Sequence, residues 1–141
     1  MKIAILGEIH SDGIDLLNLE KFQVITIDKF DESSLISKIS EVEGIVIRTA
    51  DLNDNVLSHC KNLKIVARHG VGYDNVDLTY LNSHKIALAI TGQSNAVSVA
   101  EHVMTMMLTL SKNIFASDAL TRANKFESKA NLPDFYELYQ K

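Results

Sequence analysis

Five short apolar runs, each rich in Ile and Val, recur along the first ninety residues and do most to limit what this chain can become. They are KIAIL (2–6), FQVITI (22–27), GIVIR (44–48), LKIVAR (63–68) and IALAI (86–90). None alternates cleanly between apolar and polar positions. A strand with water on one face would alternate, whereas a parallel strand covered on both faces reads as an unbroken apolar run. The segments between them carry helix starts. Asp31 precedes Leu35, Ile36, Ile39 and Val42; Asn53 precedes Val56, Leu57 and Cys60; Asp77 precedes Leu78 and Leu81. Asp and Asn side chains accept hydrogen bonds from the first free backbone N–H groups of a helix, so each marks an N-cap. Strands alternating with helices require right-handed crossovers. The expected fold is therefore α/β, a flavodoxin-like five-stranded parallel sheet with helices on both faces.

Beyond Thr91 the pattern changes. From Asn95 to Thr121 no Pro or Gly interrupts a helical periodicity, and one long helix is expected. Its apolar stripe of Val99, Val103, Met106, Met107, Leu110 and Ile114 is widened by Val97, Ala100, Met104, Leu108 and Phe115. A surface helix shows one apolar face, so this one is either buried in the core or forms an interface with another domain or subunit. Residues 124–141 hold the only proline, Pro133, and the aromatics Phe135, Tyr136 and Tyr139, and read as a connector. The expected organisation is a substrate-binding domain over 1–93, a hinge and interface helix over 94–123, and a connector over 124–141 toward an absent dinucleotide-binding domain.

The totals narrow the function classes. The longest apolar runs fall far short of the ~20 residues that a membrane-spanning helix needs. The N-terminal stretch ends in Gly7-Glu8 and reads as a strand, not a signal peptide. Cys60 is the single cysteine, which excludes an internal disulfide and suits a reducing, cytoplasmic setting. A net charge of −4 argues against a nucleic-acid surface. Any anionic ligand must then be held by local groups.

Ligands of open parallel sheets bind outside the carboxyl ends of the strands. Those ends carry Gly7-Glu8, Arg48-Thr49, Arg68-His69-Gly70-Val71-Gly72 and Thr91-Gly92. Arginine suits carboxylate or phosphate because its planar fork donates two parallel hydrogen bonds. Backbone N–H groups around Gly70-Val71-Gly72 suit an anion-binding nest. The implied ligand is a small carboxylic acid. GVGYDN imitates the opening of a dinucleotide fingerprint, but Asn75 stands where the third glycine belongs and no acidic residue follows at the required distance. A phosphoacceptor receiver domain would need paired acids after the first strand and an Asp after the third, where this chain has Glu8 and Arg48. His10, His59, His84 and His102 lie on separate elements without ligand spacing, so no metal site is expected. His69, in the pocket loop, reads as a structural loop histidine or a substrate contact, Cys60 as core, and Met104, Met106 and Met107 as packing.

At RHGVGYDNVDL (68–78) and SNAVSVAEHVMTMMLTLSKN (94–113) the chain resembles the D-isomer-specific 2-hydroxyacid dehydrogenases, of the phosphoglycerate dehydrogenase type. The likeness runs without a gap through 45–78, and ELYQK (137–141) resembles the residues just before that family's cofactor domain. The resemblance implies an oxidoreductase that acts on the CH–OH group of a small D-2-hydroxy acid with NAD. It implies that Val71 and Gly72 offer N–H groups to the substrate carboxylate and that Arg48 lines the pocket. It further implies that Asn95 faces the substrate in a supporting role, that Val99 lies near the cofactor, and that the 95–121 helix joins a homodimer. After the fifth strand Ile90-Thr91-Gly92 departs from the Asn-Thr-Pro-like turn of many members. The family's main catalytic residues fall outside these segments, so the chain alone is expected to be inactive. The alternative is a free-standing acid-binding or dimerisation module derived from such an enzyme.

Overall fold

A computed structural model describes residues 1–139; Gln140 and Lys141, the last two residues of the ELYQK stretch, lie outside the described residues. The chain forms two compact units, the first over Met1–Gln93 and the second beginning at Ser94.

In the first unit the five apolar runs are five strands: β1 (Lys2–Leu6), β2 (Gln23–Ile27), β3 (Gly44–Ile47), β4 (Ile65–Arg68) and β5 (Ala87–Ile90). All pair in parallel, in the order β2-β1-β3-β4-β5. This is the flavodoxin-like order, with its switch point between β1 and β3. Helices α1 (Ser11–Leu19), α2 (Glu32–Ile39), α3 (Asp54–Ser58) and α4 (Leu78–Ser83) connect them. The crossover from β1 to β2 runs one way across the sheet and the next three run the other way. Right-handed connections therefore put α1 on one face and α2, α3 and α4 on the other. Strand alternation gives the second face Ala4, Leu6, Ile27, Ile45, Ile47 and Val66, which form one core with Leu35, Ile39, Val56, Leu57 and Leu81 from the helices. Ile3 and Ile5, directed to the opposite face, are buried as well.

The three N-caps expected from sequence are formed. Asp31 accepts from the Ser34 N–H, Asn53 from Val56 and Asp77 from Tyr80, each at 2.9 Å. Helix α1 was not anticipated. Its N-cap is His10, whose Nδ1 accepts from the Asp12 N–H at 3.3 Å. His59 and His84 close the far ends of α3 and α4, where each Nδ1 lies 2.8–2.9 Å from a carbonyl oxygen four residues back, of Asn55 and Tyr80. Donation by Nδ1–H to a carbonyl fixes the tautomer and gives both histidines a capping role. Cys60 is buried in the core, and burial raises its thiol to about 11, so it stays protonated and unreactive near neutral pH.

Three carboxyls, of the exposed Asp31 and Glu32 and the half-buried Glu43, are held below their ordinary values. Asp31 falls from 3.8 to about 2, chiefly through the Ser33 hydroxyl and then the Ser34 N–H. Glu32 is lowered by the side-chain amides of Asn53 and Asn55, and Glu43 by Lys64 and the Lys2 N–H. A carboxyl whose folded value lies below its unfolded one binds its proton more weakly when folded. Its contribution to stability is present above the unfolded value and is lost as pH falls through the folded one. The thermal midpoint, followed by circular dichroism, should be flat above about pH 5.5 and should drop below about pH 4.5. Asp31→Ala should remove the part of that drop that lies between its two values. A midpoint that rises on acidification would contradict this assignment.

The second unit departs from expectation. In place of one helix over 95–121 there are two, α5 (Ala96–Ser111) and α6 (Ile114–Arg122), broken at Asn113. Asn113 sits at φ 45°, ψ 45°, in the left-handed region that Asn enters more readily than most residues. Its Nδ2 donates to the Asp134 carbonyl at 2.9 Å, and the Tyr136 N–H donates to the Ser111 carbonyl at 2.8 Å. The expected connector is thus tied back to the helix junction, after a 3-10 turn over Phe126–Asn131. No residue of α5 is buried. Leu110 on α5 and Phe115 on α6 remain 77% and 81% exposed.

Candidate functional site

The sheet ladder ends at Ile47 on β3 and at Arg68 on β4, and just past those ends the first unit is hollowed. A cavity of about 270 Å³ is lined by Arg48, Thr49, Arg68, Gly72, Asp74 and Asn75. Two guanidinium groups thereby share one concave surface with the glycine of the turn, as the strand-end rule led one to expect.

The geometry leaves Arg48 and the N–H groups of the turn largely free. The Arg48 N–H still donates to the Leu6 carbonyl at 3.4 Å, and its Nη1 reaches the Glu8 carbonyl at 3.5 Å, across the switch point. That long bond is weak and leaves most of the fork available. In the turn, Gly70 has φ +150° and its N–H donates to the Arg68 carbonyl at 2.9 Å. Among the described residues no backbone carbonyl accepts from the N–H of Val71 or Gly72. Both residues are exposed. Gly72 lines the cavity with the two arginines, whereas Val71 does not, and a free N–H beside a guanidinium suits a carboxylate held by charge-assisted hydrogen bonds.

Other groups were not legible beforehand. The Arg68 side chain folds beneath Gly70, its Nη1 donates to the His69 carbonyl, and its Nε is buried without a partner. Asp74 lines the same cavity, so the site carries a carboxylate of its own as well as two cations. Asn75 joins the loops, with its Nδ2 donating to the Ala50 carbonyl at 2.6 Å. His69 is exposed and does not line the cavity, nor do Glu8, Gly7 and Gly92. Asn95 and Val99 belong to the second unit. Asn95 occupies the N-cap of α5 without a side-chain cap bond, and Val99 is exposed on that helix.

The glycine turn and the helix that follows it do not fit a dinucleotide. Its pyrophosphate would need a helix N-terminus directly after the glycine turn. The N-terminus of α4 is instead taken by the Asp77 carboxylate, which accepts from Tyr80 and would repel a phosphate. Among the described residues no three His, Cys, Asp or Glu side chains gather as a metal site, and no helix is long and apolar enough to cross a membrane.

A doubly wound parallel sheet with an open cavity lined by two arginines at its strand ends defines an α/β domain of the flavodoxin-like kind. Residues 3–136 match the family model for the D-isomer specific 2-hydroxyacid dehydrogenase catalytic domain, and the chain belongs to that family. It is 30% identical over 130 residues to D-3-phosphoglycerate dehydrogenase of Archaeoglobus fulgidus, covering 92% of this chain and 25% of that protein. It is 34% identical over 116 residues to hydroxypyruvate reductase of Thermotoga maritima, covering 82% of this chain and 38% of the relative. The chain therefore spans well under half the length of these relatives. Among solved structures, it is similar to NAD+-bound 3-phosphoglycerate dehydrogenase of Entamoeba histolytica. There the TM-score is 0.68 at 26% identity, over 77% of this chain and 38% of the other. The glyoxylate/hydroxypyruvate reductase of Sinorhizobium meliloti shares the fold over 99% of this chain and 44% of its own, with a TM-score of 0.81 at 22% identity.

Proposed function

We propose that residues 1–93 are the substrate-binding domain of an NAD-dependent D-2-hydroxyacid dehydrogenase of the phosphoglycerate dehydrogenase type. The observation that carries this reading is the cavity beyond β3 and β4, where Arg48 and Arg68 share a surface with Gly72. In this reading Val71 and Gly72 offer their N–H groups to the substrate carboxylate, and Arg48 neutralises it. Asn95 supports the substrate from the start of α5, and Val99 lies near the cofactor.

The oxidised carbon of the substrate would pass its hydride to NAD, a chemistry the cofactor supplies. This chain contributes binding and orientation only. The exposed apolar surface of α5 and α6 supports a role as a subunit interface, since apolar patches of this kind mark association sites. A cytoplasmic location accords with the single, protonated thiol.

The test is a titration of the 141-residue chain with D-glycerate, followed by amide NMR. Weak saturable binding, on the order of 1 mM, is expected because only part of a cleft is built. The Val71 and Gly72 amide signals should shift most. Arg48→Ala should weaken binding at least tenfold, and no NAD reduction should occur with D-glycerate or 3-phosphoglycerate. Undiminished binding by Arg48→Ala, or turnover by the chain alone, would overturn the reading.

A further inference from the structure

We infer that Asn75 is a positioning residue, which sets the separation between Arg48 on one loop and the Val71–Gly72 N–H groups on the other. This rests on reading the cavity as a carboxylate site.

The last sheet bond between the two loops runs from the His69 N–H to the Ile47 carbonyl at 2.8 Å, and beyond it a short set of bonds around Asn75 continues the link. Its Nδ2 donates to the Ala50 carbonyl at 2.6 Å, two residues beyond Arg48. Its own carbonyl accepts from the Leu52 N–H at 2.8 Å, and the Leu52 carbonyl accepts from the Asp77 N–H at 2.9 Å. Leu52 and Val76 form an isolated parallel bridge, and both are buried. The amide orientation follows from chemistry, because a carbonyl can only accept and a flipped amide would set oxygen against oxygen.

The backbone bonds would survive a change of side chain, and the bond to Ala50 would not. That bond is the side-chain link between the segment carrying Arg48 and the segment carrying Gly72. Among the described residues, the hydrogen bonds of Arg48 itself are its 3.4 Å bond to β1 and its 3.5 Å bond to Glu8. On the far side the turn is held by the Thr91 N–H, which donates to the Gly70 carbonyl at 3.2 Å. A guanidinium and two N–H groups can share one carboxylate only over a narrow range of separations. The backbone bonds at Leu52 tie the loops further along, and the Asn75 side chain adds the tie nearest Arg48.

Asn75→Asp and Asn75→Ala test this together: the first keeps the shape but replaces the donor with a negative charge, and the second removes the donor without adding charge. In the unliganded 141-residue chain, the amide signals of Arg48, Val71 and Gly72 should shift or broaden, while those of Ala4 and Ile45 in the core stay in place. D-glycerate affinity should fall at least tenfold in Asn75→Asp and in Asn75→Ala. The double variant Arg48→Ala/Asn75→Ala should bind no worse than Arg48→Ala alone, because Asn75 acts through Arg48. A purely structural role would leave the two losses additive. Unmoved signals at Arg48, Val71 and Gly72, or additive losses, would overturn the inference. Moved signals in a wild-type chain that does not bind D-glycerate would support the coupling and refute the carboxylate reading instead.

Discussion

Replacing Ile47 by alanine should cost about 2–5 kcal/mol of folding stability, as truncation of a fully buried branched side chain does. Domains of this size are typically stable by only ~5–15 kcal/mol, so the loss is a large share of the total. Ile47 has no exposed surface and stands between Leu6 on β1 and Arg68 on β4 in the sheet register. Its side chain faces the helices, where Leu57, Leu35 and Ile39 are equally buried, so no rearrangement of solvent can fill the space. Ile47 is also the last strand residue before Arg48, and its carbonyl accepts from the His69 N–H at 2.8 Å. A cavity there loosens the floor beneath both arginines. Urea unfolding should show a lower midpoint with an unchanged slope. Ile47→Val, one methyl smaller, should cost about 0.5–1.5 kcal/mol. A loss under about 1 kcal/mol for the alanine variant would mean that Ile47 is not a central core residue.

The same physics explains what was legible in the sequence. Parallel strands buried on both faces must be apolar at every position, so GIVI and KIAIL declare themselves without their partners. Asp31, Asn53 and Asp77 announce helices because the signal is local, one side chain meeting an N–H three residues on. Helix α1 carries a histidine cap and an internal Gly13, and Leu16 and Leu19 face solvent, so only Ile14 and Leu17 are left to mark its inner face. The break at Asn113 is silent for another reason. The apolar pattern runs straight through Met107, Leu110 and Ile114, and the interruption lies in a backbone angle stabilised by Asp134, twenty-one residues away.

The candidate site divides in the same way. Arg48 and Gly72 were legible because topology alone puts strand ends together. The folded-back Arg68, the neighbouring Asp74 and the stitching by Asn75 were not. Each depends on a side-chain direction chosen by contacts distant in sequence. Asp74 bears on chemistry, since a carboxylate beside the anion cradle disfavours a second negative charge there and favours a ligand hydroxyl that can donate to it. A 2-hydroxy acid offers such a hydroxyl next to its carboxylate.

Gly70→Ala should be the most damaging change in the site itself. At φ +150° an L-residue is strained by about 1–3 kcal/mol. The new Cβ would also lie 2.9 Å from the Arg68 Cζ, inside any real contact. Two escapes exist, and each disables the site. Either the guanidinium leaves its place under the turn and gives up its bond to the His69 carbonyl, or the turn rotates and redirects the Val71 and Gly72 N–H groups. Since each 1.4 kcal/mol is a tenfold change, D-glycerate affinity should fall by at least an order of magnitude. Folding stability should fall by about 1–3 kcal/mol in the same variant. Gly72→Ala is the control for stability, because a Cβ there meets only the Asp74 Oδ2, at 3.5 Å. Its stability should stay within about 1 kcal/mol of the wild type. Should Gly70→Ala prove as stable as Gly72→Ala and bind D-glycerate normally, the Arg68–Gly70 packing would not be what shapes the cradle. The anion would then have to be held by Arg48 without help from the turn.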